Sequence, residues 1–179
     1  MTTTHLPEKP NAVTFRGTPM TLVGTQLRVG DPAPDFRLTT SSMQPMTLEE
    51  AIDGGNRNVL FIALPSLDTP TCNMETNTFN SRLAEVPSGA AVFVVSLDLP
   101  FAQKRWAAAN NAEGLSYLSD YRDRSFATAY GVFLKEIGLI TRANFVIGKD
   151  RTIKYAEIVP EVATEPNYDA TLAALKKLG

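Results

Sequence analysis

Cys72 is the only cysteine of the chain, and it stands in Pro65-Ser66-Leu67-Asp68-Thr69-Pro70-Thr71-Cys72. A thiol acts as a nucleophile in its thiolate form. With Thr69 at a helix N-cap, Pro70 falls at the first helical position, where its missing N–H costs nothing. Cys72 then lies in the first turn, where unpaired backbone N–H groups face an anion. A free cysteine titrates near 8.5, and each pH unit of displacement is about 1.4 kcal/mol. Bringing one to roughly 6 takes on the order of 3.5 kcal/mol of net thiolate stabilisation. A helix end supplies about 0.3–1 kcal/mol, or ~2 in a favoured partly buried case. A cation is needed as well.

Arg142 is the candidate cation. It precedes the apolar stretch Ala143-Asn144-Phe145-Val146-Ile147 by one residue. A charged residue at a strand end can reach across the end of the sheet to a neighbouring helix start. Its planar guanidinium stays charged and can hold an oxyanion and a thiolate together. Taken singly, each residue has a plainer reading: Cys72 as a small buried hydrophobe, Thr69 as a helix cap, Pro65 as the end of a strand, Arg142 as a solvated strand end.

Counting closes off other chemistries. The only histidine is His5, in a polar, Pro-containing tail. A Cys–His pair or a Ser–His–Asp triad therefore has no histidine to work with near Cys72. Zinc held mainly by carboxylates would be unusual, and there is neither a GxGxxG nor a P-loop motif. The 17 basic and 19 acidic residues leave a net charge of −2, which is no footprint for nucleic acid or an anionic membrane. No apolar stretch approaches the ~20 residues that span a bilayer, and residues 1–10 lack an apolar signal core. One cysteine forms no internal disulfide, so a cytoplasmic location is the simplest expectation.

The elements that must position Cys72 follow from the hydrophobic pattern. Residues 1–12 read as a flexible tail. Val13-Thr14-Phe15 and Met20-Thr21-Leu22-Val23 alternate around Arg16-Gly17-Thr18-Pro19, a β-hairpin pattern. Asn58 to Leu64 is a nearly continuous apolar run ending at Pro65, as expected of a strand buried on both faces. A helix is expected from Pro70 to Glu85, then a second buried strand, Ala91 to Ser96. Further helices are expected at Met46–Ile52, Pro100–Asn110 and Arg124–Tyr130. Ala143–Ile147 and Thr152–Val159 flank the turn Gly148-Lys149-Asp150-Arg151 as an antiparallel pair, and Tyr168–Leu178 is a closing amphipathic helix. Trp106 and Phe101 are expected in the core, and Asp120, Arg122, Asp123 and Arg124 in a solvated charged turn. The βαβ start calls for a right-handed parallel crossover. The whole order fits an α/β thioredoxin-like fold: a mixed central sheet flanked by helices, with an added N-terminal β-hairpin.

The set Pro65-x-x-x-Thr69-x-x-Cys72 resembles the active-site motif of the peroxiredoxins, and its surroundings resemble the thiol peroxidase subfamily. Further agreement lies in Val13-Thr14-Phe15-Arg16-Gly17, Val29-Gly30-Asp31-Pro32-Ala33-Pro34-Asp35-Phe36, Ser96-Leu97-Asp98-Leu99-Pro100-Phe101-Ala102-Gln103-Lys104-Arg105 and Thr164-Glu165-Pro166-Asn167-Tyr168-Asp169. The resemblance covers roughly residues 12–178 and implies one thioredoxin-like domain over 13–179, a homodimer, and reduction of hydrogen peroxide and small organic hydroperoxides. It implies that Cys72 is the peroxidatic cysteine, attacking the O–O bond and becoming a sulfenic acid. It implies that Thr69 hydrogen-bonds the peroxide and thiolate, that Arg142 fixes both charges, that Pro65 shields the pocket, and that no metal or organic cofactor takes part.

One departure bears on mechanism. The subfamily usually carries a resolving cysteine just after an Arg-aromatic pair, and here Arg105-Trp106 is followed by Ala107-Ala108-Ala109. The sulfenic acid must then be resolved by an external thiol: a low-molecular-weight thiol, a thioredoxin-type protein, or Cys72 of another protomer. A non-catalytic thiol redox sensor or partner-binding module of the same fold stays open as the alternative.

Overall fold

The computed structural model describes residues 5–179. The chain begins with the antiparallel strands β1 (Glu8–Phe15) and β2 (Thr18–Val23). Arg16 and Gly17 between them both take positive φ, 50° and 80°, the backbone handedness that suits a two-residue hairpin turn. Then follow β3 (Leu38–Thr40), β4 (Pro45–Met46), α1 (Leu48–Ala51), β5 (Val59–Ala63), α2 (Pro70–Ser81), β6 (Ala91–Ser96) and α3 (Pro100–Ala109). The rest is β7 (Ser116–Ser119), α4 (Ser125–Ala129), β8 (Phe133–Leu134), β9 (Leu139–Ile140), β10 (Ala143–Ile147), β11 (Ile153–Ile158) and α5 (Tyr168–Lys176).

Seven strands form a central mixed sheet in the order β11-β10-β5-β6-β7-β3-β4. β5, β6 and β7 run parallel, while β10 is antiparallel to β5. A second sheet joins the hairpin to the short strands β8 and β9. All five residues of β5 are buried, because both faces of the central sheet are covered. Val59, Phe61 and Ala63 face one core, with Phe36, Phe126 and Tyr130 beneath α1 and α4. Leu60 and Ile62 face the other, with Phe79, Trp106 and Leu172 beneath α2, α3 and α5. Truncating Phe61, which is edge-on to Phe36 and stacked on Phe93, to alanine would cost about 3–5 kcal/mol.

Several expected boundaries move. β1 starts at Glu8, inside the expected tail, and pairs Glu8 with Val23 and Lys9 with Leu22. Its first residues are polar and exposed, with an irregular register before Val13, so no alternation marks them. Residues 1–4 of that tail lie outside the described residues. α2 stops at Ser81, and the chain tightens into a 3-10 turn at Leu83–Glu85. The helix expected over 46–52 is the single turn α1, because Pro45 and Met46 pair with β3 instead. Trp106 is core, but Phe101 is 66% exposed. Asp120 is buried, accepting bonds from Ala127 N and Ser125 Oγ, so that stretch is not wholly a solvated turn.

Candidate functional site

The site is built where β5 gives way to α2. Pro65 follows β5 and is buried. With no N–H to donate, it ends ladder pairing there. Thr69 takes extended N-cap angles and Pro70 is the first helical residue. The first intrahelical donor is the Asn73 amide, which reaches Thr69 O at 2.9 Å. The Thr71 and Cys72 amides thus belong to the unpaired first turn, the positive end of the helix. Cys72 itself is wholly buried.

Sheet register delivers the cation. Ala143 of β10 pairs with Ala63 of β5, so Arg142 lies one step beyond, at the end of the sheet where the chain leaves β5 for the Pro65 turn. The Arg142 carbonyl is tied by the Val159 amide at 3.0 Å. Arg142 is 1% exposed, and its guanidinium uses three nitrogens in three directions. Nη2 donates to Cys72 Sγ at 3.3 Å. Nε donates to the Val162 carbonyl at 3.0 Å. Nη1 forms a buried ion pair with Glu75 Oε2. The solvated strand-end reading of Arg142 is therefore overturned.

Glu75 escaped the reading of the sequence. It sits three residues after Cys72, which places both on one helix face, and a buried arginine requires a counter-charge. Its other oxygen, Oε1, is buried without a hydrogen-bond partner. Burial pushes the Glu75 carboxyl up to about 7, although Arg142 pulls it the other way. Burial also works against the charge of Arg142, but Glu75 and Cys72 outweigh it and hold the guanidinium more firmly protonated than usual. The cluster keeps a fixed positive charge against the sulfur, with Glu75 as its buried hydrogen-bonding partner.

Thr69 lies close to Cys72 in sequence, but its hydroxyl does not cap α2. It donates to the Ser66 carbonyl at 2.9 Å, alongside the Thr69 amide at 3.0 Å. A carbonyl only accepts, so the hydroxyl proton is committed and its lone pairs remain to accept. The Val162 end of the cluster is set from afar. The Val162 amide donates to Thr14 O at 2.8 Å. The Glu161 carboxylate collects Thr14 Oγ1, Arg16 N, Gly17 N and Ala163 N at 2.8–3.1 Å. Thr71 Oγ1 bonds Ala163 O at 3.1 Å. The turn of the N-terminal hairpin is thus clamped to the strip that orients Arg142.

This architecture recurs in solved structures. A peroxiredoxin-like protein from Aquifex aeolicus matches with a TM-score of 0.86 and 39% identity, over 98% of this chain and 99% of that one. A thiol peroxidase from Chromobacterium violaceum shares the fold with a TM-score of 0.80 at 21% identity, over 92% and 95% of the two chains. The fold is the thioredoxin-like fold of the peroxiredoxins. The model of the AhpC/TSA family matches residues 29–156, and the chain belongs to that family. It is 44% identical over 162 residues to a thiol peroxidase of Clostridium acetobutylicum, covering 90% of this chain and 96% of that protein. It is 40% identical over 166 residues to a thiol peroxidase of Bacillus subtilis, covering 93% and 97%.

Proposed function

We propose that this protein is a thiol-dependent peroxidase whose reacting atom is Cys72 Sγ. Its thiol peroxidase relatives support the activity. The observation that carries the residue assignment is the Arg142 Nη2 to Cys72 Sγ contact of 3.3 Å at the start of α2. The guanidinium and the positive end of α2 both face the sulfur, the kind of surroundings in which a cysteine serves as a nucleophile. The thiolate attacks the terminal oxygen of a hydroperoxide, and the O–O bond breaks. The leaving alkoxide or hydroxide takes a proton and departs as alcohol or water, leaving a sulfenic acid on Cys72. Arg142 stabilises the negative charge that moves from sulfur to the leaving oxygen. Thr69, its proton already given to Ser66 O, accepts a hydrogen bond from the peroxide O–H. Pro65 walls the site at the end of β5.

With no second cysteine in the chain, an external thiol attacks the sulfenic sulfur. Water leaves and a mixed disulfide forms. A second thiol then releases Cys72 and carries away the disulfide. Where the subfamily usually places a resolving cysteine, Ala107 is packed into the core at 5% exposure. Family likeness supports a homodimer, and the lack among the described residues of any helix long and apolar enough to cross a membrane is compatible with a cytoplasmic location.

The test is peroxide consumption with an added thiol. Consumption that is lost in Cys72→Ser supports the reading, and equal consumption by that variant refutes it. Intact mass after peroxide decides the redox-sensor alternative: Cys72 that oxidises once and recycles with no thiol would favour the sensor over the enzyme.

A further inference from the structure

The segment Ser96-Leu97-Asp98, which ends β6 and leads toward α3, has no part in the chemistry above, yet it grips the loop that carries Thr69. Asp98 Oδ1 accepts from Ser66 Oγ at 2.7 Å, and Oδ2 accepts from Leu67 N at 2.9 Å and Ser96 Oγ at 2.8 Å. The Ser66 carbonyl is in turn the acceptor of both Thr69 donors. We propose that Asp98 is a positioning residue for peroxide reduction, acting by holding Ser66 so that the Thr69 hydroxyl is presented to the peroxide as an acceptor. The proposal rests on the role given to Thr69 above.

The direction of each bond argues for it. Ser96 Oγ receives Gln103 Nε2 at 3.0 Å and the Asp98 amide at 3.3 Å, so its one proton points to Asp98. Gln103 is fully buried and anchored a second time on Leu118 O at 2.9 Å. Ser66 Oγ likewise receives the Asp68 amide at 3.3 Å and gives its proton to Asp98. The Asp98 carbonyl is held by Ser119 Oγ at 2.5 Å. Asp98 is therefore fixed to the rigid ends of β6 and β7, and it transmits that fixity to the loop 66–69. Three donors converge on its two oxygens, an arrangement that suits a carboxylate. An asparagine would aim its own N–H at one of them and force a hydroxyl to turn round. Reversal at Ser66 loosens the carbonyl that orients Thr69. Arg142, Glu75 and the first-turn amides make none of these bonds, so the immediate surroundings of Cys72 Sγ are untouched.

The experiment is a double-mutant cycle read by two reactions of Cys72, with hydrogen peroxide and with iodoacetamide at pH 7. Asp98→Asn is expected to slow peroxide oxidation about tenfold or more, as misplacing a catalytic contact does. Alkylation is expected to stay within about twofold, because it does not use Thr69. In a Thr69→Val background, Asp98→Asn is expected to add less than about a twofold further loss, since both changes remove one contribution. Ser66→Ala, which deletes one bond of the relay, is expected to give a smaller loss with the same coupling, and it serves where Asp98→Asn does not fold. Full additivity with Thr69→Val, an equal loss in alkylation, or an unaltered peroxide rate overturns the proposal. A Thr69→Val protein as fast as the parent removes Thr69 from the site and this inference with it, while leaving the Cys72 peroxidase reading intact. Failure of the parent itself to react with peroxide refutes that earlier reading instead.

Discussion

Arg142 and Glu75 form an ion pair in which the two side chains are 2% and 0% exposed. The cation that faces Cys72 is therefore not free to come and go, since Glu75 holds it inside the protein. Stability and reactivity are coupled at this pair, and they respond to different substitutions.

Arg142→Ala illustrates the coupling. A strand-end arginine in solvent could be removed at little cost to the fold, so the loss would fall on peroxide attack. The buried pair changes that expectation, because the variant leaves Glu75 without its partner. A loss of about 3–5 kcal/mol is expected, the scale for breaking one side of a buried pair. Above pH 7, where Glu75 has to ionise, the double variant Arg142→Ala, Glu75→Gln is expected to be more stable than Arg142→Ala alone, because no uncompensated carboxylate remains. Both variants should alkylate at Cys72 more slowly than the parent at pH 7. Urea unfolding checks the first statement, and an unshifted midpoint in Arg142→Ala contradicts it.

Glu75 also predicts a pH dependence. Its carboxyl is raised from the usual 4.5 to about 7, chiefly by burial. The folded state therefore holds a proton that the unfolded chain has released between those two values. Stability from this group is complete below 4.5 and is lost as pH rises through about 7. Glu75→Gln cannot ionise, so the difference in unfolding free energy between parent and variant should shift against the parent across that window. Parallel stability profiles for the two proteins would show that Glu75 does not titrate there.

What the sequence revealed and what it hid can be traced to single residues. The runs around Phe61 and Phe93 announce central strands because burial on both faces leaves no polar position to disguise them. Thr69 and Pro70 announce the helix start because a proline at the first helical position is a local signal, although the Thr69 hydroxyl turns to Ser66 O rather than capping the helix. Arg142 could be proposed from its place before a strand, but its burial could not, since that depends on register with Ala63 and on Glu75 across the interface. Glu8 to Ala12 look like a tail because edge strands facing water need no apolar alternation. Ser116–Ser119 carries no strand signal because four residues are too few to show a period. Asp98 stood within a quoted motif, but its link to Thr69 runs through Ser66 from another strand end, a tertiary relation that no spacing discloses.

Glu161 gives the opposite pH signature to Glu75. The Ala163 amide, with further bonds from Gly17, Thr14 and Arg16, holds its carboxyl down at about 2 despite some burial, against the usual 4.5. Its contribution is present above 4.5 and disappears as pH falls through about 2. Glu161→Gln should be less stable than the parent at neutral pH, and the gap should close in acid. Because Glu161 clamps the strip whose Val162 carbonyl receives Arg142 Nε, the variant should also alkylate more slowly at Cys72. A gap that is constant from neutral pH into acid would count against the carboxylate clamp.

The last prediction concerns what the missing resolving cysteine does under oxidant stress. A sulfenic acid waits for an external thiol, and until one arrives more peroxide can carry it to the irreversible sulfinic state. Cys72 is wholly buried beside Arg142, so a protein-sized reductant cannot touch the sulfur until the first turn of α2 moves. A small peroxide needs far less opening to reach the same sulfur. Excess peroxide without thiol should therefore convert the protein to a species heavier by two oxygens, with loss of activity that a reductant does not reverse. Adding a small thiol at the outset should suppress that species more effectively than adding a thioredoxin-type protein at the same thiol concentration, because the small molecule needs less opening. Intact mass spectrometry across a peroxide series checks both statements. Protection by the protein reductant that equals or exceeds the small thiol would mean that docking itself opens the turn, and that burial of Cys72 does not limit its recycling.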